Sequence, residues 1–295
     1  MISAYIKQVG IKNFIWRKLK LTLFRLFKTK FVYSLITKNI YDIYKWDPSA
    51  SEVYITKCFT DWGNEYLFLD SLKKRKNNVF LDVGSHSGYY SILFNNFYEK
   101  IIGFEPSQKC FNILKKLNNS KLSFYQYFIG DRNIKVKGTD SETGYSYYDK
   151  NSNYKKISSQ ELKQITLDQF CIDNKLRNIT GIKIDVDGND LKVLYGAKET
   201  IQLNRPSILI ENYSPELFIF FDNLNYSISS MVSLKEKPYD LYLEELNNFD
   251  PDKWVKMNVC VPNEFKKNYE KNYFKGNIIS GINKKEILKT FNFKF

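Results

Sequence analysis

A glycine-containing segment between two predicted strands has the residue types that a nucleoside-binding site needs. Asp82, Gly84, His86 and Gly88 follow a short apolar run, and Glu105 ends the next apolar run 21 positions after Gly84. Glycine at a strand-to-helix turn lets the backbone approach a ligand, and the helix N-terminus offers its amides. A carboxylate that closes the following strand can accept both hydroxyls of a ribose. The spacing is neither Gly-x-Gly-x-x-Gly nor a Gly-Lys-Ser/Thr loop, which disfavours NAD and ATP and favours another nucleoside.

A regular alternation of strands and helices must position these residues. The pattern predicts strands near 79–81, 101–104, 122–129, 181–185 and 207–210, and helices near 89–98, 108–117 and 189–203. This alternation predicts right-handed crossovers and a parallel sheet with helices on both faces. The polar stretch 131–164 predicts an antiparallel excursion or a surface loop, and an edge strand is expected over 257–261.

Four blocks of sequence resemble the FkbM family of S-adenosylmethionine-dependent methyltransferases in order and spacing. They read FLDVGSHSGYYS at 80–91, IGFEP at 102–106, IKIDVDGND at 182–190 followed by VLYGA at 193–197, and PSILIE at 206–211. The resemblance covers about residues 78 to 215, with weaker matches at 166–168 and 259–262. The family's third block usually carries two glutamates where this chain has Asp187 and Asp190. Both carboxylates are therefore one methylene closer to the backbone than in the family's usual sequence.

The resemblance implies the class I methyltransferase fold, an α/β fold with a seven-stranded, mostly parallel sheet and helices on both faces. S-adenosyl-L-methionine would lie over the C-terminal ends of the strands. The matching positions beside the methionine part of this cofactor are Asp82, Gly84, His86 and Gly88. Glu105 would hold the ribose, and Asp131 would lie near the adenine, with an ordinary turn at 130–131 as the alternative.

An acidic cluster in the third block supplies candidates for the acceptor site. Methyl transfer to an alcohol is an in-line displacement, so a base must touch the hydroxyl and take its proton. Asp185 is the first candidate for this role, followed by Asp187 and Glu211 and then by His86. Lys183 would anchor an anionic substrate group or orient Asp185, with a salt-bridged strand residue as the alternative.

The same acidic cluster invites comparison with metal sites. It is not a helix-loop-helix calcium loop, because the sixth position from Asp185 is Asp190 instead of glycine and the twelfth is Gly196 instead of glutamate. No metal ligand is assigned, and a magnesium ion shared by these acids and the substrate is left as an alternative. Four dispersed cysteines and a single histidine argue against a zinc site or a disulfide framework.

The positive charge of the chain is concentrated at its N-terminus. Residues 1–30 carry eight Lys/Arg and no acid, whereas the remainder carries 37 Lys/Arg against 32 Asp/Glu. Apolar residues recur there at helical spacing, namely Ile15, Trp16, Leu19, Leu23, Leu26 and Phe27, and Leu21 and Phe24 interrupt the polar face. The pattern predicts a cationic amphipathic helix that binds an anionic membrane surface. The alternative is a helix whose apolar stripe packs on the main domain or on a second copy in a homo-oligomer.

We divide the sequence into a basic helical arm at 1–40, a lead-in segment at 41–77 and a methyltransferase domain at 78–295. No apolar run is long enough for a membrane span or typical of a secretory signal. We therefore expect a cytoplasmic protein, which the arm would hold at the inner face of the membrane.

The sequence favours an O-methyltransferase that modifies a sugar hydroxyl of a surface glycan, lipopolysaccharide or glycolipid, because relatives in the family often methylate sugars. A small secondary metabolite is the alternative acceptor, and a noncatalytic tethering module of the same fold is the alternative outside enzymes. No nucleic-acid partner is predicted, because the chain contains no recognised nucleic-acid module and no Asn/Asp-Pro-Pro-aromatic signature.

Overall fold

A computed structural model gives the fold. It describes residues 6, 10–26, 31–34, 40–43, 61–71, 78–117, 119–140, 145–147, 160–266 and 278–279. Within these residues the helices are α1 (Ile11–Leu26), α2 (Asn64–Ser71), α3 (Tyr89–Leu93), α4 (Gln108–Leu114), α5 (Leu167–Asp173), α6 (Asp190–Tyr195), α7 (Lys198–Asn204) and α8 (Pro215–Asn223). The strands are β1 (Phe31–Ser34), β2 (Ile40–Ile43), β3 (Val79–Val83), β4 (Lys100–Phe104), β5 (Leu122–Tyr125), β6 (Phe128–Ile129), β7 (Ile134–Asp140), β8 (Tyr145–Tyr147), β9 (Gln160–Ile165), β10 (Ile179–Ile184), β11 (Ser207–Ile210), β12 (Tyr226–Leu234), β13 (Lys237–Leu246), β14 (Lys253–Val255), β15 (Asn258–Pro262) and β16 (Ile278–Ile279).

The chain divides into two compact units, and the first of them is Arg75–Pro206. Its parallel sheet has the strand order β5-β4-β3-β10. Strand β10 is buried at every position, and β3 and β4 are buried at all but their first. Such continuous burial is expected of parallel strands that are covered on both faces. The α/β architecture predicted from the alternation is confirmed.

Two predicted elements are divided in the structure, each at a contact with a segment that is distant in the sequence. The helix predicted at 189–203 forms as α6 and α7, with the break at Gly196, where a Cβ would lie only 2.0 Å from the backbone oxygen of Gly130. The strand predicted at 122–129 forms as β5 and β6, because β6 leaves the parallel sheet to pair with β9. Helices α3 and α4 end earlier than predicted, at Leu93 and Leu114.

The predicted antiparallel excursion is present as a second sheet in the same unit. Its strand order is β6-β9-β7-β8, and β7 pairs antiparallel with both β8 and β9. Phe128, Val136 and Leu162 form its small buried cluster. The excursion therefore has its own apolar contacts.

The second unit joins Met1–Lys74 to Ser207–Phe295. Its strands pair antiparallel in the order β11-β15-β12-β13-β16, and β14 also pairs with β12. The prediction of an edge strand at 257–261 is wrong in position, because β15 is hydrogen-bonded on both sides, to β11 and to β12. The long strands β12 and β13 were not predicted, since their serine and glutamate residues obscure the alternation.

The strand number differs from the seven expected. In the part of the chain that the structure describes, β3, β4, β5 and β10 are parallel in the first unit, and β11 to β16 are antiparallel in the second. The antiparallel hairpin β12–β13 and the short strands β14 and β16 account for the larger number. Phe27, part of the predicted apolar stripe of the N-terminal helix, lies outside the described residues. None of the helices that the structure describes combines the length and hydrophobicity that crossing a bilayer requires.

Candidate active site

The turn after β3 is locked between the two neighbouring strands. Gly84 has φ +78°, and the amides of Gly84 and Ser85 both donate to the carbonyl oxygen of Phe104, each at 3.0 Å. A Cβ at Gly84 would lie 1.9 Å from the backbone oxygen of Asp185. Glycine is therefore required here by the approach of the β10 end, and this requirement holds without any ligand.

The second glycine of the motif is required by packing. Gly88 has φ +88° and precedes α3, and a Cβ there would lie 2.8 Å from Leu117 and 3.1 Å from Leu114. Between the two glycines, His86 also has a positive φ, +48°. The segment 84–88 is thus a compact left-handed turn that ends at the start of a helix.

Glu105 is the buried carboxylate of this turn. Its Oε2 accepts a hydrogen bond from the backbone amide of His86, and its Oε1 accepts one from the amide of Ser107, both at 2.8 Å. Burial, partly offset by these two hydrogen bonds, raises the pKa of Glu105 to about 7. Each carboxylate oxygen can accept a further hydrogen bond. Glu105 therefore joins the turn after β3 to the end of β4 and retains capacity for a ligand hydroxyl.

Lys183 is the buried cation that joins β10 to the same turn. Its ammonium donates to the carbonyl oxygen of Gly84 at 2.7 Å and lies 3.3 Å from Oδ2 of Asp185. It also lies 3.9 Å from Oδ1 of Asp82 and 5.3 Å from the centroid of the Tyr90 ring. Only 3% of its side chain is exposed. This geometry agrees with two of the predictions for Lys183, that it orients Asp185 and that it is a salt-bridged residue of a strand.

Asp82 is fully buried beneath the turn. Its Oδ2 accepts a 2.5 Å hydrogen bond from the hydroxyl of Ser91, whereas its Oδ1 accepts none from the residues that the structure describes. Burial raises the pKa of Asp82, an effect opposed by the charge of Lys183. Because Asp82 is inaccessible and held by Ser91 and Lys183, we assign it to positioning the turn, and its predicted contact with the cofactor stays a prediction.

The third-block acids differ in their environments. Asp185 follows β10, has 35% of its side chain exposed and pairs with Lys183. Asp187 is exposed and has φ +49°, and partial desolvation together with the Asp185 charge raises its pKa. Asp190 is buried and accepts a 3.1 Å hydrogen bond from the amide of Val186, and burial raises its pKa. Asp185 is therefore the partly exposed carboxylate beside a fixed cation.

No described group of three or more His, Cys, Asp or Glu side chains is arranged to hold a metal ion. Within the third block, Asp190 is directed to a backbone amide of its own loop. Asp185 is paired with Lys183.

Asp131 and Glu211 are the remaining predicted site residues. Asp131 pairs with Arg132 at 3.1 Å and accepts a hydrogen bond from Gln164, and the Arg132 contact lowers its pKa. Its place near an adenine stays a prediction. Glu211 directly follows β11, is exposed and belongs to the second compact unit. Its role as a base also stays a prediction.

Ser91 and Ser107 are site residues that the sequence analysis missed. Ser107 accepts a hydrogen bond from the amide of Cys110 as the N-cap of α4, while its own amide binds Glu105. A serine directly before a predicted helix is a recognisable cap signal that could have identified it. Ser91 gave no such signal, because its contact with Asp82 spans a turn and a helix start.

A family model of the methyltransferase FkbM domain matches residues 82–240. The chain belongs to the FkbM methyltransferase family. The match includes the turn at 84–88, Glu105 and the third-block acids, and the fold is the class I methyltransferase fold predicted from the resemblance.

Several solved methyltransferase structures are similar to this FkbM chain. An FkbM methyltransferase from Methylobacillus flagellatus KT has 16% identity and a TM-score of 0.41, with 72% of this chain and 52% of that chain covered. The chain thus spans about half the length of that protein. Precorrin-6Y C5,15-methyltransferase from Geobacter metallireducens GS-15 has 12% identity and a TM-score of 0.38, with 67% and 87% covered. M. capricolum TrmK, solved with S-adenosyl-homocysteine, has 13% identity and a TM-score of 0.35, with 67% of each chain covered. No match was found among curated proteins.

Proposed function

We propose that this FkbM methyltransferase uses S-adenosyl-L-methionine to methylate a hydroxyl group of a sugar. The observation that carries the proposal is a pair of carboxylates of different character at the C-terminal ends of β4 and β10, the two strands that pair with β3. Glu105 is buried and held by backbone amides, whereas Asp185 is partly exposed beside Lys183. In open α/β sheets ligands bind outside the carboxyl ends of the strands.

The residues of the first unit suit the nucleoside part of this cofactor. The cofactor supplies an electrophilic methyl group when it is bound. Glu105 would accept hydrogen bonds from the ribose hydroxyls, because each of its oxygens has used only one acceptor site on a backbone amide. The backbone of the left-handed turn at 84–88 would border the methionine part, with His86 at its centre.

Asp185 is the residue that we propose to touch the acceptor. A carboxylate near a hydroxyl fixes the direction of its oxygen lone pair and takes the proton as the oxygen becomes positive. Lys183 would keep the Asp185 carboxylate in one orientation, since their 3.3 Å contact is anchored by the bond of Lys183 to Gly84. Asp187 and Glu211, and then His86, are the next candidates for this role.

The acceptor that we propose is a sugar of a glycan, lipopolysaccharide or glycolipid. The partly exposed Asp185 and the exposed Asp187 suit a polyhydroxylated acceptor, because two carboxylates can accept hydrogen bonds from several hydroxyls at once. A secondary metabolite with a single hydroxyl would use only one of them. Family membership supports the transfer reaction, and the choice of acceptor is our proposal.

Calorimetry with S-adenosylmethionine and S-adenosylhomocysteine tests the cofactor assignment. Wild-type protein should bind both, and Glu105→Ala should weaken binding by about 1.5 to 3 kcal/mol, because a ribose would lose a charged acceptor. Glu199→Ala is a matched control, since that glutamate is exposed on the first turn of α7. Absence of binding at millimolar cofactor would overturn the proposal.

Radiolabelled methyl transfer to a panel of acceptors tests the substrate class. Transfer to sugars or glycolipids, but not to aglycone alcohols, is the expected result. Transfer to a polyketide alcohol alone would identify a secondary metabolite, instead of a sugar, as the acceptor. Cofactor binding without transfer to any member of a broad panel would favour the noncatalytic module.

A further inference from the structure

Helix α1 presents an apolar face to solvent, which Lys12 near its N-terminal end and Thr22 interrupt. Six apolar side chains on it are between 50% and 71% exposed, namely Ile11, Ile15, Trp16, Leu19, Leu23 and Leu26. At about 100° per residue these positions fall within an arc of about 140°. Isolated exposed apolar residues are ordinary, whereas a contiguous patch of this kind marks an interaction surface.

A different face of α1 is buried. Phe14 and Leu21, two turns apart, are 7% and 6% exposed and are the buried apolar residues described in this helix. Leu21 interrupted the amphipathic pattern in the sequence, and the structure explains it as a docking residue. The exposed face is therefore not the one that packs on this chain, and the prediction that the stripe docks on the main domain is not supported by the described residues.

The charges around the apolar face are all of one sign. Lys12, Lys18 and Lys20 are exposed, and residues 1–30 contain eight Lys/Arg and no acid. On the helical projection Lys18 and Lys20 lie at the two borders of the apolar arc. The Lys20 ammonium lies 4.9 Å from the centroid of the Trp16 ring. An amphipathic ring next to a cation suits the headgroup level of a lipid surface.

We propose that α1 lies in the interface of an anionic lipid membrane, with its exposed apolar face inserted among the acyl chains and its lysines on the headgroups. A membrane fits better than a second copy of this chain, because an equivalent helix would place its own lysines against Lys18 and Lys20 with no acid between them. Anionic lipid satisfies both the apolar arc and the net charge. This inference goes beyond the proposed methyl transfer, and it is tested without any methyl acceptor.

The test is sedimentation of the full chain with lipid vesicles. Vesicles of 30% phosphatidylserine in phosphatidylcholine should bind the protein, and pure phosphatidylcholine vesicles should bind it at least tenfold more weakly. Raising the salt from about 0.05 to 0.5 M should release it, because the Debye length falls from about 14 to about 4 Å. Equal binding to both vesicle types, or no binding to either, would overturn the proposal.

Paired variants locate the binding on the helix. Leu19→Ser with Leu23→Ser should weaken binding at least tenfold, whereas Leu203→Ser with Ile219→Ser, which are also exposed and apolar, should leave it unchanged. Lys18→Glu with Lys20→Glu should weaken binding to anionic vesicles more than twentyfold. Lys100→Glu with Lys198→Glu makes the same charge change at exposed positions elsewhere and should have little effect. Equal losses in the controls would overturn the assignment to α1.

Light scattering without lipid tests whether a second copy of the chain covers the exposed apolar face of α1. We expect the same mass for the wild type and for Leu19→Ser with Leu23→Ser. A concentration-dependent dimer that these substitutions abolish would show that another copy covers the face, and it would overturn the membrane proposal.

Discussion

The ammonium of Lys183 donates a hydrogen bond to the carbonyl oxygen of Gly84 across 2.7 Å. This contact ties the end of β10 to the turn after β3, and a backbone carbonyl is a fixed acceptor that has no rotamers. The same ammonium lies 3.3 Å from Oδ2 of Asp185 and 3.9 Å from Oδ1 of Asp82. The orientation of Asp185 is therefore set by the backbone of a neighbouring strand through one side chain.

Replacing Lys183 by Met should destabilise the protein by about 3 kcal/mol or more, because the buried Asp82 would lose its cation. The methionine fills a similar volume and thus leaves the packing little changed. Urea unfolding followed by circular dichroism gives the free energy of unfolding. Adding Asp82→Asn to Lys183→Met should recover part of the loss, because the uncompensated charge is then removed.

The matched control for this change is Lys135→Met. Lys135 pairs with Glu161 at 2.9 Å, but both side chains are exposed, so their pairing is screened by water. The free energy of unfolding of Lys135→Met should equal that of the wild type. If Lys183→Met unfolds at the wild-type urea concentration, then the network around Asp82 does not stabilise this part of the sheet.

Gly84→Ala should prevent the turn from closing, because the new Cβ would lie 1.9 Å from the Asp185 backbone oxygen. A backbone atom of a paired strand cannot move aside cheaply, and the residue also has φ +78°. We expect little soluble folded protein, measured by expression yield and by circular dichroism. The sequence analysis required glycine here for the close approach of a ligand, whereas the structure requires it for the close approach of Asp185.

Gly188→Ala separates the cost of a positive φ from the cost of the steric contact, which Gly84→Ala combines. Gly188 has φ +84°, but a Cβ there has no atom within 4 Å. This variant should fold and lose only about 1 kcal/mol, from backbone strain alone. Equal tolerance of alanine at both positions would mean that β10 does not approach the turn as closely as the structure has it.

The parallel strands and the glycine turn could be predicted because their signals are local. Apolar runs, glycine spacing and the acid that ends β4 lie next to one another in sequence. Side-chain partners could not be predicted in this way. The contact between Lys183 and Gly84 joins residues 99 positions apart, and Gly196 ends α6 because of an approach to Gly130. Local pattern also misjudged Leu21, since the face by which α1 docks is set by tertiary packing.

Asp185→Asn should fold, bind S-adenosylhomocysteine and lose most of its methyl transfer, because the amide cannot take the proton of an acceptor hydroxyl. Calorimetry measures binding, and radiolabel transfer measures kcat and KM separately. A loss in kcat with little change in cofactor affinity is expected of a group that acts on the acceptor. Asp187→Asn is the control in the same loop and should retain more activity. Normal turnover by Asp185→Asn would move the role of base to Asp187, His86 or Glu211.

Glu105 should make the protein less stable as the pH rises towards neutrality. Burial raises its pKa from 4.5 to about 7, so between these values the folded state binds more protons than the unfolded state. The free energy of unfolding then falls with rising pH, by up to about 3 kcal/mol across this window. Because other buried acids such as Asp82 and Asp190 have pKa values shifted in the same direction, the measured quantity must be a difference.

The difference to measure is the free energy of unfolding of the wild type minus that of Glu105→Gln at pH 5, 6, 7 and 8. Glutamine cannot titrate, and contributions of the other acids largely cancel between the two proteins. Its amide nitrogen faces the amide of either His86 or Ser107, donor against donor, so the variant should be the less stable protein at pH 5. The difference between the two free energies of unfolding should then narrow as the pH rises, because only the wild type must bury a charge. A gap that stays constant over these four values would mean that Glu105 does not titrate in this range, and that the two backbone amides hold its carboxylate ionised throughout.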